Sequence, residues 1–508
     1  ISILRTMVRL LNVLLTVLLC ADAYKILVYS PKFGHSHSNY MGRIADLLTE
    51  AGHNVTTIIS IIDHTVKDGT KLSNIIRVEP SAETTELYKD MTKTKTDLFT
   101  TNNFNPIGAY FMGQFFSKLF AAQCRALLEE AGLVEKLKAE KYDVFFTENF
   151  DMCGVGLSHV IKPKSFIPVA ASGAFGPQLE EFGLPAAISY NPAFYVSHMN
   201  VHSMWDRIVN IYADWLVRLS FNPMRYYVSE MIWKNLLIGY QNSQQISSNS
   251  AFVFTNTEPL IDYALPSINK VISIGGIGVK EAKQLSEDWE SILTKREKTV
   301  LLSFGSVSKS MYLPAAIKAS IIETVKALPH VTFIWKYEAD DEFTKNIASK
   351  VENLHLSKWM PQVNILAHPR MSAFVTHGGM GSTQETASRG VPGIFVPLFG
   401  DQPRNAGMME HNKLGKVSKR IANRSPAKFY LGFRQKRSSK CYLKNAKRVS
   451  AMLHKKPFTV IEQIVKYTEF AAEFGPSKAL RPQSHDMNWI EHNNLVSTHQ
   501  NISLCFLI

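Results

Sequence analysis

The sequence predicts an α/β protein built from two doubly wound, Rossmann-like domains that face each other across a cleft. Two observations predict it. The chain has 508 residues, of which 45% are hydrophobic, and this is enough to bury more than one core. Short, continuously apolar segments alternate with amphipathic segments along the whole length. That alternation is typical of parallel strands buried on both faces and of the helices that cover them.

Ten apolar segments are predicted to be strands. Half of them lie in the first part of the chain and half in the second, which gives each domain its own sheet. Between them, segments such as 41–52 and 315–328 place apolar residues three and four positions apart, as helices packed on a sheet do. The predicted strands are 24–30, 54–60, 142–148, 165–172 and 251–256, followed by 299–306, 331–337, 354–360, 372–379 and 393–399.

A polar stretch divides the chain between the two sets of strands. The glycines at 275, 276 and 278, just before it, lack the spacing of a dinucleotide-binding loop and are predicted to form a turn. Ligands of such sheets bind beyond the carboxyl ends of the strands, so the chemistry is expected there. The predicted division is a first domain at 24–278, a linker at 279–298, a second domain at 299–470 and a helical tail at 471–508.

The first 23 residues predict a secretory signal peptide. Arg5 and Arg9 precede the apolar segment 10–20, and residues 21–23 supply small side chains at the spacing of a cleavage site. We therefore expect the mature chain to begin near Tyr24 and to enter the secretory pathway.

The five cysteines, at positions 20, 124, 153, 441 and 505, are scattered and include no Cys-x-x-Cys pair. This spacing indicates neither a disulfide framework nor a zinc site. No metal site is predicted.

The formal net charge of +13 raises nucleic acid or an acidic membrane as a partner. Its distribution favours another interpretation. Nine Lys and Arg residues lie within 416–440, and no acidic residue occurs between Glu410 and Glu462. Without those nine the net charge would be near +4. We interpret the segment as a solvated insertion or a locally altered reading frame, and no nucleic-acid partner is predicted.

A strand, a glycine loop and a helix start follow one another in the stretch 372–390. Gly378, Gly379 and Gly381 have no side chain to obstruct the backbone. Ser382 stands where a helix begins and its N–H groups are unpaired. Such an arrangement can bind a phosphate oxygen.

Other polar and aromatic side chains are expected at the same edge of the sheet. His377 ends the strand as a hydrogen-bond donor, and Glu385, one turn into the helix, can accept from two sugar hydroxyls. Trp359 follows a neighbouring strand and can stack on a flat base. Asp401 and Gln402 follow the next strand, where a carboxylate and an amide can bind hydroxyls. The pattern predicts a nucleotide-binding site.

Residues 359–405 resemble the donor-binding signature of the UDP-glycosyltransferases, the family that includes the UDP-glucuronosyltransferases and UDP-glucosyltransferases. The resemblance extends over nearly the whole chain. It implies a fold of the GT-B type and transfer of a hexose, with the UDP-sugar as a co-substrate and neither cofactor nor metal. It assigns the uracil to Trp359 and Gln362, the diphosphate to Ser306, His377, Gly379 and Ser382, the ribose to Glu385, and the transferred sugar to Asp401 and Gln402.

The resemblance also points to a catalytic base in the first loop, where His35, His37 and His53 compete. His37 follows Ser36 and lies sixteen residues before His53, as in the family's pattern. It also lies between a strand and a helix, where the helix dipole favours a neutral imidazole. We expect His37 to be the general base of an inverting displacement, with His35 as the alternative.

A catalytic histidine usually needs an acidic partner that fixes its tautomer. The resemblance places that partner after the strand 142–148, and Glu148 occupies the position. An aspartate is common there in the family, so the side chain of Glu148 is one methylene longer. Asp151, three residues on, is the alternative.

The region from Phe104 to Trp215 mixes aromatic and small residues and predicts a pocket for a small lipophilic acceptor. Contact of the same surface with a bilayer is a second interpretation. Members of the family usually end in a membrane-spanning helix, but the last apolar segment, 504–508, is far too short to span. We expect a lumenal protein of the endoplasmic reticulum that is membrane-associated, or secreted if unanchored, with homo- or hetero-oligomers as further partners.

Two alternatives stay open at this stage. The donor sugar is glucuronate or glucose: glucuronate would require a cation near the sugar, and Arg404 lies close to Asp401 in the sequence. The other alternative is a catalytically inactive member of the family that binds UDP and associates with active partners.

Overall fold

The structure is a computed structural model, and it describes residues 23–93, 104–236, 243–418 and 436–487. Several expectations fall outside these ranges. They are the signal peptide up to residue 22, most of the basic segment 416–440, and the end of the chain from residue 488.

The first domain contains a seven-stranded parallel sheet in the order β3-β2-β1-β4-β5-β6-β7. This is the strand order of a doubly wound fold. The order in which successive strands are added to the sheet reverses between β1 and β4, while all strands stay parallel. Its strands are β1 Lys25–Lys32, β2 Asn54–Ile61, β3 Asn74–Val78, β4 Val144–Glu148, β5 Ser165–Ala170, β6 Val253–Thr255 and β7 Val271–Ser273. Its helices are α1 His35–Glu50, α2 Ala82–Lys93, α3 Pro106–Glu129, α4 Leu133–Ala139, α5 Met152–Ile161, α6 Gly176–Glu181, α7 Met204–Leu236 and α8 Ser243–Ser248.

The second domain contains a six-stranded parallel sheet in the order β10-β9-β8-β11-β12-β13. Its strands are β8 Lys298–Ser303, β9 Val331–Lys336, β10 Leu354–Ser357, β11 Met371–Thr376, β12 Gly393–Phe395 and β13 Gly415–Val417. The remaining helices are α9 Glu287–Thr294, α10 Ala315–Lys326, α11 Glu342–Asn346, α12 Gln362–Leu366, α13 Met380–Arg389, α14 Gln402–His411, α15 Lys436–His454 and α16 Val460–Phe474. Two parallel-sheet domains confirm the predicted fold class.

Burial on both faces explains why the strands have continuous apolar sequences. In β1, Ile26 and Val28 pack into the core on one face of the sheet, and Leu27 and Tyr29 pack into the core on the other. Alternate residues of a strand point to opposite faces, so both sets must be apolar when helices cover both.

Three strands were missed by the sequence analysis. β3, β7 and β13 are short and are outermost strands of their sheets, and β3 and β13 contain exposed positions. An outer strand needs less apolar sequence than a central one, so the pattern there was too weak to detect.

The predicted linker at 279–298 contains a helix that packs on the second domain. The glycines at 275–278 form the expected turn, and Gly276 has φ of +94°. The following stretch 279–298 contains α9, whose Leu293 is fully buried in the second domain.

Helix α16 returns the chain to the first domain. It begins with a capping box between Thr459 and Glu462, and its buried Ile464, Ala471 and Ala472 pack in the core beneath the first sheet. Ser165 at the start of β5 donates to the carbonyl oxygen of Ala471 at 2.6 Å. Helix α16 follows the second domain in sequence and packs on the first, so it connects the two domains. The domain boundaries stay a prediction.

The expectation of no disulfide was wrong for one pair. Cys124 on α3 and Cys153 on α5 are bonded to each other, and both are fully buried. Spacing along the chain could not reveal this pair, because 29 residues separate the two cysteines and only the packing of α3 against α5 brings them together. Cys441 is free and exposed.

Within the described ranges, none of the helices combines the length and the apolar character that crossing a bilayer requires.

Candidate active site

His37 lies in the first turn of α1, immediately beyond the carboxyl end of β1. Its Nδ1 is 3.4 Å from Oε2 of Glu148, which ends the neighbouring strand β4. The His37 side chain is 15% exposed and that of Glu148 only 1%. Because adjacent parallel strands end at the same edge of a sheet, β1 and β4 bring these two side chains together. The pair is close, but its geometry falls short of a hydrogen bond in this structure.

Backbone groups hold Glu148 in place. The N–H of Phe150 donates to Oε2 at 3.2 Å, and the N–H of Ala171, just after β5, donates to Oε1 at 3.4 Å. A buried carboxylate needs such donors, since an unpaired charge away from water is costly. Glu148 is therefore fixed with one oxygen towards His37.

Asp151, the alternative partner, has a different role. It is the N-cap of α5, where it accepts from the N–H of Cys153 at 2.9 Å, and it also accepts from the hydroxyl of Tyr29 at 2.6 Å. Burial raises the pKa of Asp151 to about 7. Both of its oxygens are occupied by structural contacts, so Glu148 is the carboxylate that faces His37.

An aromatic wall surrounds the His37 ring on the first-domain side. The Phe33 ring centroid lies 4.6 Å from that of His37, and the Phe150 centroid lies 5.5 Å from it. Phe120 of α3 packs against both phenylalanines, at 5.1 and 5.8 Å. The wall continues through Phe221 of α7, 5.4 Å from Phe150. Phe33, Phe150 and Phe221 are partly buried and give the imidazole apolar neighbours, while Phe120 is fully buried in the core behind them.

The second domain presents a glycine loop opposite this pair. Gly379 is the N-cap of α13, and a methyl group placed on it would lie 2.8 Å from Nε2 of His377. A methyl group on Gly305, in the turn after β8, would lie 2.8 Å from Cε1 of the same ring. The space over Gly381 is open. Only glycine leaves room for the imidazole and for a ligand to reach the N–H groups of the helix.

Lys336, at the carboxyl end of β9, adds a cation to this cradle. Its Nζ donates to the carbonyl oxygen of Gly305 at 2.7 Å and lies 5.6 Å from the centroid of the Trp359 ring. Burial lowers the pKa of Lys336. The sequence analysis missed this residue, although a lysine that ends an otherwise apolar strand was the available signal.

The two side chains expected to hold the uracil and the ribose contact each other. Nε2 of Gln362, at the start of α12, donates to Oε2 of Glu385 at 2.6 Å. Burial raises the pKa of Glu385, and this hydrogen bond opposes the rise. Trp359 is 75% exposed, so its ring is accessible to a stacking partner.

Asp401 and Gln402 lie at the start of α14, after β12. Asn405 donates to Oδ2 of Asp401 at 2.7 Å and to the carbonyl oxygen of Gly378 at 3.1 Å, which ties the carboxylate to the glycine loop. Burial raises the pKa of Asp401, and the nearby His37 of the other domain lowers it. The side-chain oxygen of Gln402 accepts from the backbone N–H of Leu398 at 2.9 Å.

The chain matches the sequence profile of one protein family over residues 24–501, nearly its whole length. That family is described as UDP-glucoronosyl and UDP-glucosyl transferase. This chain belongs to it. The chain is therefore an enzyme of a hexosyltransferase family, which confirms the resemblance read from residues 359–405.

Two relatives illustrate the relation. Human UDP-glucuronosyltransferase 3A2 is 27% identical over 496 residues, which cover 95% of this chain and 91% of the human protein. The Caenorhabditis briggsae protein ugt-47 is 26% identical over 494 residues, which cover 96% of this chain and 91% of that protein.

Solved glycosyltransferase structures share the fold of this UDP-glycosyltransferase. The calicheamicin glycosyltransferase CalG4 superposes with a TM-score of 0.59 at 14% identity, over 90% of this chain and 100% of CalG4. Os79 from O. sativa, solved in complex with U2F and a trichothecene, gives a TM-score of 0.59 at 15% identity, over 87% and 99% of the two chains. These neighbours establish the GT-B arrangement of two facing domains.

The last two predicted site residues of this UDP-glycosyltransferase lie beside residues of the site described above. Ser306 lies in the turn beside Gly305, and Ser382 lies in the first turn of α13, with its Oγ 3.5 Å from Nε2 of Gln362. Within the described ranges, no cluster of three or more His, Cys, Asp or Glu side chains is arranged to hold a metal ion.

Arg404 pairs with a carboxylate of the first domain. It is 4% exposed, and its Nη2 is 2.8 Å from Oδ1 of Asp262, a residue of the first domain. Its guanidinium also lies over the ring of Tyr263, at 5.3 Å. Arg404 therefore joins the two domains through its ion pair with Asp262.

The His377 side chain predicts a pH dependence of stability. Burial, aided by the charge of Lys336, lowers the pKa of His377 from 6.5 to about 4. His377 binds a proton at a higher pH in the unfolded chain than in the folded one. The neutral imidazole therefore contributes to the free energy of unfolding above pH 6.5, and this contribution is lost as the pH falls towards 4. Between pH 7 and 4.5 the protein is expected to lose roughly 2 kcal/mol more unfolding free energy than the His377→Gln variant.

Urea denaturation of both proteins at the two pH values measures this difference. Equal losses would show that His377 titrates as it does in the unfolded chain.

Proposed function

We propose that this enzyme transfers glucuronate or glucose from a UDP-sugar to the hydroxyl of a small lipophilic acceptor, with inversion. The observation that supports it most is the His37–Glu148 pair, with 3.4 Å between Nδ1 and Oε2, and Asp401 of the other domain lies close enough for its charge to interact with that of His37. A base, its orienting carboxylate and a sugar-binding carboxylate are then assembled from two domains.

The base step follows from the orientation of His37. With Nδ1 towards Glu148, the proton of a neutral imidazole lies on Nδ1, and Nε2 is the atom that can accept one. Nε2 takes the proton of the acceptor hydroxyl while the oxygen attacks the anomeric carbon. Glu148 stabilises the imidazolium formed during that step. The separation of 3.4 Å can shorten when substrates bind, because catalytic hydrogen bonds are often long without them.

The leaving group departs on the opposite face of the sugar. As the bond to the anomeric carbon breaks, negative charge develops on the diphosphate of UDP. We expect the N–H groups at the start of α13, the ring of His377 and the ammonium of Lys336 to stabilise that charge. Attack from one face and departure from the other give inversion, and no step in this proposal requires a metal.

The aromatic wall supports a lipophilic acceptor. Phe33 and Phe150 contact the His37 ring, so an apolar acceptor bound against them would bring its hydroxyl near the base. Phenyl rings bury large apolar areas and leave polar selection to a few side chains, here His37.

Release of UDP tests the proposed function. The purified chain is offered UDP-glucuronate and UDP-glucose separately, each with a panel of simple phenols. Acceptor-dependent release with one donor supports the proposal and identifies the sugar. No release with either donor, in protein that still binds UDP, would support the rival hypothesis of an inactive UDP-binding member of the family.

We further propose that the enzyme is lumenal and rests on the bilayer surface. The disulfide between Cys124 and Cys153 fits an oxidising compartment. An apolar surface lies on α3 and α7, which pack so closely that a methyl group on Gly113 would lie 2.3 Å from the carbonyl oxygen of Ser220. Its exposed members are Ile107, Tyr110, Phe111 and Met112 of α3 and Met204, Trp205, Ile208, Ile211, Tyr212 and Trp215 of α7.

The composition of this surface favours lipid as the occupant. Tryptophan and tyrosine are the residues that lie at membrane interfaces. The two acidic residues nearby are engaged elsewhere, since Asp206 accepts from the backbone N–H of Asn200 and Asp214 pairs with Arg218. The same α3 carries Phe120 of the aromatic wall, so the exposed surface and the wall share one helix.

Flotation with phosphatidylcholine vesicles tests membrane contact. The chain is expected to float with the vesicles, and replacing both Trp205 and Trp215 by alanine is expected to weaken partition at least tenfold. Phe458→Ala removes an aromatic ring that is equally exposed but lies outside this surface, and it should leave flotation unchanged. Two results would contradict the proposal that lipid covers this surface. One is failure of the chain to float, and the other is a dimer in sedimentation that dissociates when Trp205 and Trp215 are both replaced.

A further inference from the structure

We propose that Gln384 and Asn256 are positioning residues that connect the donor-binding helix to the His37–Glu148 pair. The proposal rests on the function proposed above. It concerns a chain of hydrogen bonds that crosses from the second domain to the first and ends on the carboxylate of Glu148.

The first link crosses between the domains. Gln384 lies on α13, next to Glu385, and is 4% exposed. Its Nε2 donates to Oδ1 of Asn256 at 2.8 Å and to the carbonyl oxygen of that residue at 3.2 Å. Its Oε1 accepts from the backbone N–H of Gly276 at 3.1 Å. Every polar atom of this carboxamide is thus paired with the first domain.

The second link runs from Asn256 to the catalytic pair. Asn256 follows β6 and is 5% exposed, and its Nδ2 donates to the carbonyl oxygen of Ala171 at 2.7 Å. The N–H of Ala171 donates to Oε1 of Glu148 at 3.4 Å, and Oε2 of Glu148 is 3.4 Å from Nδ1 of His37. Ala171, the residue after β5, therefore connects the hydrogen bond between Gln384 and Asn256 with the carboxylate of Glu148.

The hydrogen bonds that connect Gln384 with Glu148 are buried, so the loss of one of them affects the positions of the others. In a low-dielectric interior a hydrogen bond is stronger than in water, and a lost partner leaves an unpaired group that must move or be rehydrated. A shift of α13 moves Gln384, and Asn256 transmits the shift to the backbone of Ala171. Since Glu385 of the same helix is the proposed ribose ligand, seating of the UDP-sugar fixes Glu148 for the transfer.

A cycle of variants tests this proposal. Gln384→Met keeps the length of the side chain and removes its hydrogen bonds. It is expected to lower kcat about tenfold in the otherwise unchanged enzyme, with the Kd for UDP within twofold. In a Glu148→Gln background the same substitution is expected to lower kcat by less than twofold, because the carboxylate it positions is absent. Asn256→Ala is expected to repeat this pattern from the first-domain side.

The matched control is Lys456→Met. Lys456 pairs with Glu258 of the first domain and so also lies at the boundary between the domains, but this ion pair includes none of Gln384, Asn256, Ala171 and Glu148. Its substitution is expected to leave kcat unchanged in both backgrounds.

The outcomes separate two failures. Equal losses of kcat from Gln384→Met in both backgrounds, or a raised Kd for UDP with unchanged kcat, would overturn the positioning role alone. If Glu148→Gln by itself leaves kcat unchanged, the proposed function of the catalytic pair is wrong, whatever Gln384 does.

Discussion

Replacement of His37 by alanine is expected to lower kcat by on the order of 10³-fold, within the range that general-base catalysis contributes. UDP affinity is expected to stay within about twofold of the original value. The two effects separate because His37 lies in the first domain, whereas the cradle around His377 and α13 lies in the second. The ring of His37 contacts Phe33 and Glu148 and takes no part in that cradle.

Initial rates with a phenolic acceptor and calorimetric titration with UDP measure the two quantities. His64→Ala is a matched control, because this histidine lies in the same domain, is exposed and pairs only weakly with Glu79 at 3.6 Å. Near-full transfer by the His37 variant would show that the base is another residue, and His35 would be the next to test.

Loss of the disulfide between Cys124 and Cys153 is expected to lower the free energy of unfolding by about 3–4 kcal/mol. The loop it closes spans 29 residues, and closing a loop of that length restricts the unfolded chain by about this amount. The bridge also holds α5, which begins just after Glu148, against α3, which carries Phe120 of the aromatic wall.

Urea denaturation of the Cys124→Ser and Cys153→Ser variants measures the loss. Addition of a reductant should bring the original protein towards the stability of these variants and leave the variants unchanged. Cys441→Ser serves as the control, since this cysteine is free and exposed, and it should have little effect. Unchanged stability in both buried-cysteine variants would mean that the bridge contributes nothing to folding.

Much of the site could be predicted because strand ends in parallel sheets share one edge. His37 follows β1 and Glu148 ends β4, and these strands are neighbours in the sheet, so an adjacency of strands became an adjacency of side chains. The glycine loop could also be predicted, because His377 and the glycines at 378 and 379 lie in one continuous stretch between β11 and α13. The resemblance to the family pointed to His37 and Glu148, whereas the glycine loop was predicted from local sequence and from the rule for where ligands of this fold class bind.

The sequence analysis preferred Glu148 and kept Asp151 as the alternative, and it left open whether Arg404 is a cation near the donor sugar. In both cases the contacts seen in the structure are made with a partner far away in the chain. Asp151 accepts from Tyr29, 122 residues earlier, and Arg404 pairs with Asp262, 142 residues earlier. Local pattern contains no information on such pairs.

By itself, then, the sequence determined the fold class, the edge at which the site lies and the glycine loop of the cradle. Each of these follows from the order of apolar segments and from backbone groups that neighbouring residues expose. Only the tertiary structure decided the pairing of Cys124 with Cys153, the place of Lys336 beside the cradle and the link from Gln384 through Asn256 to Glu148. These contacts join distant parts of the chain, and the packing of helices and domains fixes them, not the residues beside them in sequence.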